Sequence, residues 1–279
     1  MLFALRAPQP LIKATFACLV LMLLSQPRET MAQTPLKPSG PGWLEHWRLS
    51  TFSFGRIQKQ NQRDFFEVIG TGVLVAINPQ TAYIVTAKHV FDDPTKNWHP
   101  SEVRLRFAWE ERQSVYEGLG IAVKLLQPTG EPIWHAPNSG ADIAAIPITI
   151  AQLQASGQQQ PHAISTQDLA TSDDLYEGAS LLVLGYPGIV GNEYLVRAIS
   201  RGGIIAWTNP ESPYKKPFLI DANIYPGNSG GPVISLPTGA DKYGNFGIGA
   251  KPKLLGIVSK APGQNTDILL QVPGAVQPL

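Results

Sequence analysis

Asp221-Ala-Asn-Ile-Tyr-Pro-Gly-Asn-Ser-Gly-Gly-Pro232 sets one serine, Ser229, among glycines in the second half of the chain. Because glycine has no Cβ, this backbone can turn sharply and lie open to a ligand. The strand-like segments Phe218–Ile220 and Val233–Ser235 flank it, so the pattern predicts a tight turn between two buried strands. Ser229 is therefore a candidate nucleophile, and the backbone amides of Gly227 and Ser229 are candidate donors to an oxyanion.

The chain must also supply a base, because a serine hydroxyl is a weak nucleophile until its proton is taken. Among the histidines, His89 alone follows an apolar β-branched run, Ala82–Ala87, and it precedes a turn at Asp92-Asp-Pro94. This pattern predicts an imidazole at the end of a strand, where the scaffold fixes its direction. The other histidines stand in polar or proline-flanked segments: His46, His99, His135 and His162.

The far nitrogen of the base needs an acid to orient it. Asp142 is the best candidate, because in Gly140-Ala-Asp-Ile-Ala-Ala-Ile-Pro147 it opens an otherwise apolar strand. The rival acids stand in polar turns: Asp92, Asp93, Asp173 and Asp174. Each candidate also has a purely structural interpretation, with His89 a core histidine, Asp142 a strand-start cap and Ser229 a turn residue. Their joint occurrence in one chain favours a catalytic triad.

Five short motifs follow one another along the chain: Gly70-Thr-Gly72, Thr86-Ala-Lys-His89, Ala141-Asp-Ile-Ala144, Gly185-Tyr-Pro-Gly188 and Gly227-Asn-Ser-Gly-Gly-Pro232. Together they resemble the trypsin/chymotrypsin-like serine peptidases, and they are most similar to the bacterial secreted branch that includes the Deg-type proteases. The resemblance runs from about Gly70 to about Val272. It implies a catalytic triad of His89, Asp142 and Ser229, with an oxyanion hole at the amides of Gly227 and Ser229.

Short strands separated by glycine and proline predict an all-β barrel or sandwich. In the first half, the predicted strands are Phe65–Ile69, Gly72–Ile77, Tyr83–Ala87, Val103–Trp109, Gly120–Leu126 and Ile143–Ile148. In the second half, they are Ser180–Gly185, Glu193–Ile199, Gly203–Trp207, Pro217–Ile220, Pro232–Ser235, Lys253–Ser259 and Asp267–Val272. The arginines of Val103–Trp109 are expected on a solvated face. The resemblance selects two six-stranded antiparallel β-barrels with the active site in the cleft between them.

The N-terminus has the order of a secretory signal peptide, with Arg6 and Lys13, the apolar run Ala14–Leu24 and small residues before Gln33. We therefore expect residues 1–32 to be a signal peptide and residues 33–42 a flexible segment. Residues 43–165 are expected to form the first barrel with its connection, and residues 166–279 the second. The protein would then be secreted or periplasmic, in a bacterium.

A membrane anchor is the alternative, but the apolar run is well short of the roughly 20 residues that span a bilayer. No stable anchor is thus expected after signal cleavage. Cys18, the only cysteine, lies in this run, so the mature chain would have none. Lipid attachment at Cys18 is a further alternative, although the apolar run continues beyond it.

Composition bounds the partners. The length of 279 residues, 43% of them hydrophobic, is enough for one or two cores, and a net charge of +1 gives no reason to expect nucleic acid. No metal is implied, since no His, Asp or Glu pair has ligand spacing, and no cofactor is expected. The expected partner is a protein or peptide substrate, and the oligomeric state is left open.

Residues 230–279 are too few for a further domain of about 100 residues, so no peptide-binding module is expected.

Two other functions use the same residues. One is a catalytically inactive binding or scaffold protein, and the other is an esterase. An α/β-hydrolase is excluded, because its histidine follows the serine and no histidine follows Ser229.

In trypsin-like members an acid six residues before the nucleophile selects Arg or Lys, and here that residue is Asn223. We therefore expect cleavage after a small or apolar residue.

Overall fold

β-Strands are the main secondary structure in the computed structural model of this protein. The structure describes residues 42–60, 63–107, 120–155, 162–189, 197–211, 217–236, 238–248, 251–259, 269–272 and 275–278. All of them fall in the compact unit Pro41–Leu279, whereas the unit Met1–Gly40 lies outside the described residues. The predictions for the signal peptide and for nearly all of the flexible segment therefore lie outside them as well.

The first half of the chain forms one antiparallel sheet with the strand order β5-β4-β1-β2-β3-β6. Its strands are β1 (Thr51–Gln60), β2 (Arg63–Ala76), β3 (Thr81–Thr86), β4 (Glu102–Phe107), β5 (Ile121–Lys124) and β6 (Ala144–Thr149). A short strand, β7 (Ile164–Ser165), pairs in parallel with β2. Alternating apolar residues turn to one face, where the first core contains Phe52, Phe54, Leu74 and Ile84.

The second half forms a five-stranded antiparallel sheet with the order β10-β9-β8-β11-β14. The strands of this half, with two separate hairpins, are β8 (Ser180–Gly185), β9 (Ile199–Trp207), β10 (Leu219–Ala222), β11 (Pro232–Ser235), β12 (Thr238–Ala240), β13 (Phe246–Ile248), β14 (Leu254–Ile257), β15 (Leu269–Val272) and β16 (Ala275–Pro278). Leu181, Val183, Ile205 and Val233 lie in the core of this half. The prediction of an all-β fold with two antiparallel halves is confirmed.

In the described residues, helical structure is limited to short segments before and between the strands. The α-helices are α1 (Trp43–Leu49), α2 (Lys88–Phe91) and α3 (Ile150–Ala155), and single 3₁₀ turns occur at Pro94–Lys96, Thr166–Asp168 and Ser172–Asp174. None of the helices within the described ranges is long and apolar enough to cross a membrane. The two helices of most interest are α1, which the sequence did not predict, and α2, which carries His89.

The two halves meet in a third apolar cluster that contains Trp47, Val73, Leu184, Tyr186 and Ile234. Tyr186 is 1% exposed, and its hydroxyl donates to the carbonyl of Thr51 at 3.2 Å. A tyrosine buried with its hydroxyl satisfied contributes apolar contact without the cost of an unpaired polar group. This cluster fixes the first sheet against the second.

Several strand predictions are wrong in their bounds. Phe65–Ile69 and Gly72–Ile77 belong to one continuous strand, β2, because the glycines between them leave room for neighbouring side chains instead of breaking the strand. A Cβ at Gly72 would come within 2.6 Å of the Phe52 ring. Similarly, the predicted strand Gly203–Trp207 begins earlier, at Ile199, as part of β9. Residues 193–196 of the predicted strand before it lie outside the described ranges.

Arg106 does not lie on a solvated face as predicted. It is 7% exposed, with its guanidinium carbon 3.9 Å from the centroid of the Phe66 ring. Arg104 is half-buried and donates to the carbonyl of Gly120 at 3.2 Å. The second face of β4 is therefore covered at Arg106 and partly covered at Arg104, which an alternation of apolar and basic residues does not reveal.

The predicted boundary between residues 165 and 166 falls where the chain changes sheets. β7 still pairs with β2 of the first sheet, whereas Leu169 forms a parallel bridge with Leu254 of the second. The domain division itself stays a prediction.

Glycine at position 72 provides a test of the packing in the first half. In Gly72→Ala the new methyl group would overlap the Phe52 and Phe54 rings, so we expect the free energy of unfolding to fall by about 1–3 kcal/mol. Gly202→Ala is the matched control, because a Cβ at this position would meet no other group within 4 Å. Urea unfolding measures both, and equal stability of the two variants would contradict the packing described.

Candidate active site

His89 lies in the one-turn helix α2 and not at the end of a strand as predicted. β3 ends at Thr86, Ala87 is extended, and the helix runs from Lys88 to Phe91. Phe91 packs edge-on against Phe54, with ring centroids 5.1 Å apart. Because Phe91 is anchored in the first core, His89 is held at the surface of that core with its side chain 20% exposed.

Asp142 lies just before β6 and contacts His89 at two points. The antiparallel register pairs Thr86 with Ala144, which brings the residues before β6 alongside α2. Oδ2 of Asp142 is 2.7 Å from Nδ1 of His89, and Oδ1 accepts from the His89 backbone amide at 3.0 Å. An ionised carboxylate can only accept, so Nδ1 carries the proton and Nε2 is left as the acceptor.

The rival acids have other partners. Asp92 contacts His99 Nδ1 at 2.6 Å and Lys88 at 3.7 Å, while Asp173 pairs with Lys242 at 2.8 Å. Asp93 and Asp174 accept hydrogen bonds from residues of their own turns. Lys88 lies next to His89 in α2, and its ammonium group reaches one turn along the helix to Asp92.

Ser259 is a contact of Asp142 that the sequence analysis did not single out. It follows β14 of the second sheet, and its hydroxyl donates to Asp142 Oδ2 at 2.7 Å. Its only signal is a hydroxyl at the end of the predicted strand Lys253–Ser259, which does not identify a partner in the other half. The carboxylate is thus held by hydrogen bonds from both halves of the chain.

These contacts change the acidity of Asp142. Burial on its own would raise the pKa of Asp142, but the hydrogen bonds from the His89 ring, the Ser259 hydroxyl and the His89 amide outweigh burial and hold the pKa well below its usual range. Asp142 is therefore ionised at neutral pH. An ionised carboxylate at Nδ1 is what keeps an imidazole in one tautomer and stabilises its cation.

Ser229 follows a tight turn between β10 and β11. The amide of Asn228 donates to the carbonyl of Tyr225 at 3.0 Å, and Gly227, the third residue of this turn, has φ +93°. Proline second and a positive-φ glycine third are typical of a type II turn. A Cβ at Gly227 would come 2.4 Å from the carbonyl oxygen of Tyr186. Both the positive φ and the lack of space for a side chain therefore require glycine at this position.

The peptide groups around Ser229 are fixed by their carbonyls. The Pro226 carbonyl accepts from Gly188, and the Asn228 carbonyl accepts from Gly231, both at 2.8 Å. In a planar trans peptide the N–H points opposite to the C=O, so these two bonds also set the directions of the Gly227 and Ser229 amides. Within the described part of the chain, neither of these amides donates a hydrogen bond. Both remain available to an oxyanion.

The Ser229 loop lies against the segment that carries His89. The Ser229 carbonyl accepts from the Thr71 amide at 2.7 Å, and the Gly230 amide donates to the carbonyl of Val258 at 2.7 Å. A Cβ at Gly230 would come 2.9 Å from the backbone nitrogen of Ala87, two residues before His89. The loop is thus held between Ala87 on one side and the residue preceding Ser259 on the other.

Among the contacts of the described residues, no hydrogen bond joins the Ser229 hydroxyl to the His89 ring. Bonds of this kind are commonly long in unliganded enzymes and shorten when substrate binds. The structure therefore brings His89, Asp142 and Ser259 into contact and places the Ser229 loop beside them.

No metal centre accompanies these residues in the ranges that the structure describes, where no three His, Cys, Asp or Glu side chains come together as a metal ion would require.

Two antiparallel β-halves with a half-buried His–Asp pair and a glycine-bounded serine loop at their junction define a protein of the serine-protease type. The family model for the trypsin-like peptidase domain matches residues 70–240. The chain belongs to this trypsin-like peptidase family, and its function is of the protease type.

The comparison with solved structures includes Rv3671c from M. tuberculosis H37Rv, crystallised as a serine-to-alanine mutant in an inactive form. It is 17% identical, with 76% of this chain and 75% of that chain covered and a TM-score of 0.38. No curated protein shows significant similarity to the chain.

The lowered pKa of Asp142 gives a pH-dependent contribution to stability. A carboxyl whose folded pKa lies below its unfolded value, 3.8, stabilises the fold fully above that value and stops doing so as pH falls through the folded pKa. We expect wild type to exceed Asp142→Asn in free energy of unfolding by a constant amount above about pH 5, and the difference to shrink in stronger acid.

Urea unfolding between pH 7 and the acid limit of folding measures this difference. Ser259→Ala removes one hydrogen bond to the carboxylate and moves its folded pKa towards the unfolded value, so its acid-dependent loss of stability should be smaller than in wild type and complete at a higher pH. A wild-type advantage over Asp142→Asn that persists undiminished in acid would contradict the assignment.

Proposed function

We propose that this protein is a secreted serine endopeptidase that hydrolyses peptide bonds with a triad of Ser229, His89 and Asp142. The observation that supports it most directly is the two-point contact of Asp142 with His89 beside the Ser229 loop. That contact leaves Nε2 of His89 as the free basic nitrogen of the ring. A buried structural His–Asp pair would not require a serine loop with two unengaged amides next to it.

The mechanism begins with nucleophilic attack. Ser229 Oγ forms a bond to the carbonyl carbon of the substrate, and its proton moves to Nε2 of His89. The Asp142 carboxylate stabilises the imidazolium through Nδ1. The carbonyl oxygen becomes an oxyanion, and the amides of Gly227 and Ser229 donate to it.

Collapse of the tetrahedral intermediate breaks the peptide bond. His89 gives its proton to the departing amine, which leaves an ester between Ser229 and the acyl part of the substrate. Water then attacks this ester with His89 as the base, and Ser229 regains its proton as the acid product leaves. Each step needs only groups of this chain and water.

Secretion is part of the same proposal. It rests on the charged, apolar and small-residue order of residues 1–32, and it places the enzyme in the periplasm or outside a bacterial cell. Proteins and peptides would be its substrates there.

Substitution of Ser229 tests the proposal. We expect Ser229→Ala to abolish labelling by a fluorophosphonate and to lower the hydrolysis of denatured casein by at least about 10³-fold, because the nucleophile is lost while the fold is kept. Ser172→Ala, at an exposed serine of a 3₁₀ turn, should label and hydrolyse like wild type. Unchanged labelling of Ser229→Ala would refute the triad. Labelling of wild type without casein hydrolysis would favour the esterase, and neither activity would favour the inactive binding protein.

Asn223 tests the specificity. Asn223 is exposed and offers no carboxylate to a basic side chain, so we expect a peptide-library digest to show cleavage after small or apolar residues. Asn223→Asp should increase cleavage after Arg or Lys by about tenfold, since a partly desolvated charge pair is worth about 1–2 kcal/mol. Exclusive cleavage after Arg or Lys by wild type would contradict this expectation.

A further inference from the structure

A cation from the second sheet lies against the turn that precedes Ser229. Arg201, on β9, is half-buried and places its guanidinium carbon 4.8 Å from the centroid of the Tyr225 ring. Tyr225 is the first residue of the type II turn, and its ring is partly exposed. A guanidinium stacked on an aromatic ring within about 6 Å is attracted to the ring face.

The same guanidinium reaches the residue next to the nucleophile. Asn228 is fully buried, with 0% exposure. One terminal atom of its carboxamide lies 3.3 Å from both the amide of Tyr225 and Nη1 of Arg201, and because both of these are donors, we assign that atom as the oxygen. Arg201 thus contacts both ends of the turn, Tyr225 at its start and Asn228 at its close.

The space for this carboxamide is built into the fold. A Cβ at Gly185 would come 2.7 Å from the Asn228 side chain, so the glycine at the end of β8 leaves the cavity that Asn228 fills. A carboxamide oxygen buried in such a place needs its donors, because an unpaired buried polar atom is costly. Arg201 supplies one of its two donors.

We infer that Arg201 is a positioning residue that keeps the backbone amides of Gly227 and Ser229 aimed at the oxyanion. This inference rests on the proposed peptidase function. The amide of Ser229 belongs to the same peptide group as the Asn228 carbonyl, and the amide of Gly227 lies inside the turn that Tyr225 opens. Fixing Tyr225 and Asn228 therefore fixes both donors. Arg201 touches neither the substrate nor the reacting atoms.

The expected effect is on turnover and not on substrate binding. One oxyanion donor contributes about 10²–10³-fold to kcat, so partial misorientation in Arg201→Gln should lower kcat by about tenfold while KM changes by less than about twofold. Arg201→Lys keeps a cation above the Tyr225 ring but not the planar fork, and it should retain most of the activity. A fluorogenic peptide chosen from the library digest serves as substrate for all variants.

Arg197→Gln is the matched control. Arg197 lies just before β9 and carries the same charge, but its exposed guanidinium pairs with Glu45 at 3.7 Å and not with the turn. Its kcat and KM should equal those of wild type. A kcat loss in Arg197→Gln as large as that in Arg201→Gln would assign the effect to general charge and overturn the inference.

Amide hydrogen exchange tests the same contact without any turnover. The amides of Asn228, Gly230 and Gly231 are hydrogen-bonded, so the peptide that covers residues 225–231 should exchange faster in Arg201→Gln, with the strands of both sheets unchanged. Measured in the Ser229→Ala background, this readout does not depend on catalysis. If Arg201→Gln does not fold, the same comparison is made with Arg201→Lys, in which a smaller acceleration is expected.

The outcomes separate the two proposals. Wild-type exchange of residues 225–231, or wild-type kcat, in a folded Arg201→Gln protein would overturn the role of Arg201. Absence of Ser229-dependent hydrolysis in wild type would instead overturn the proposed function, and the exchange result would then still decide whether Arg201 holds the turn.

Discussion

The hydrogen bonds of Thr71 join the two halves of the molecule at the candidate site. Thr71 is fully buried in β2, where its amide donates to the carbonyl of Ser229 and its hydroxyl donates to the carbonyl of Gly227, both at 2.7 Å. The hydroxyl oxygen also accepts from the Tyr186 amide at 3.0 Å. One strand of the first sheet thereby holds the serine loop of the second, and Gly70 next to Thr71 leaves room for the loop, since a Cβ there would come 3.3 Å from the Ser229 carbonyl oxygen. This arrangement also explains why buried polar side chains are tolerated at the junction. Thr86 donates to the carbonyl of Thr71 at 2.7 Å, and a buried hydroxyl costs free energy only when it lacks a partner. Because these partners are backbone groups at fixed positions, the network sets the register between the sheets, which apolar contacts alone leave less precise.

Much of the fold and part of the site follow from local patterns. The strands at Ser180–Gly185 and Pro232–Ser235 have the predicted bounds, because a short apolar run between turn residues has one stable form. The positive φ of Gly227 follows from proline followed by glycine in a turn. The proximity of His89 and Asp142 followed from motif order, and their catalytic role stays a proposal.

Other features depend on contacts that a linear pattern does not contain. The apolar, β-branched run before His89 is a strand as far as Thr86, but Lys88–Phe91 form a helix that packs Phe91 on Phe54 in the first core. Gly70 and Gly72 resemble strand breaks, although they accommodate Val90 and two phenylalanine rings. Ser259 and Arg201 reach partners far away in the chain, so only the assembled sheets reveal them.

The hydroxyl of Ser259 in the second half of the chain donates to the Asp142 carboxylate in the first half, so the candidate site depends on the junction between the two halves. A molecule in which either half begins to unfold loses the hydrogen bond that holds Asp142 together with the hydrogen bonds that hold the serine loop, since both sets of bonds lie at the same junction. Partly unfolded molecules would therefore lose the arrangement of the candidate site before the rest of the chain unfolds.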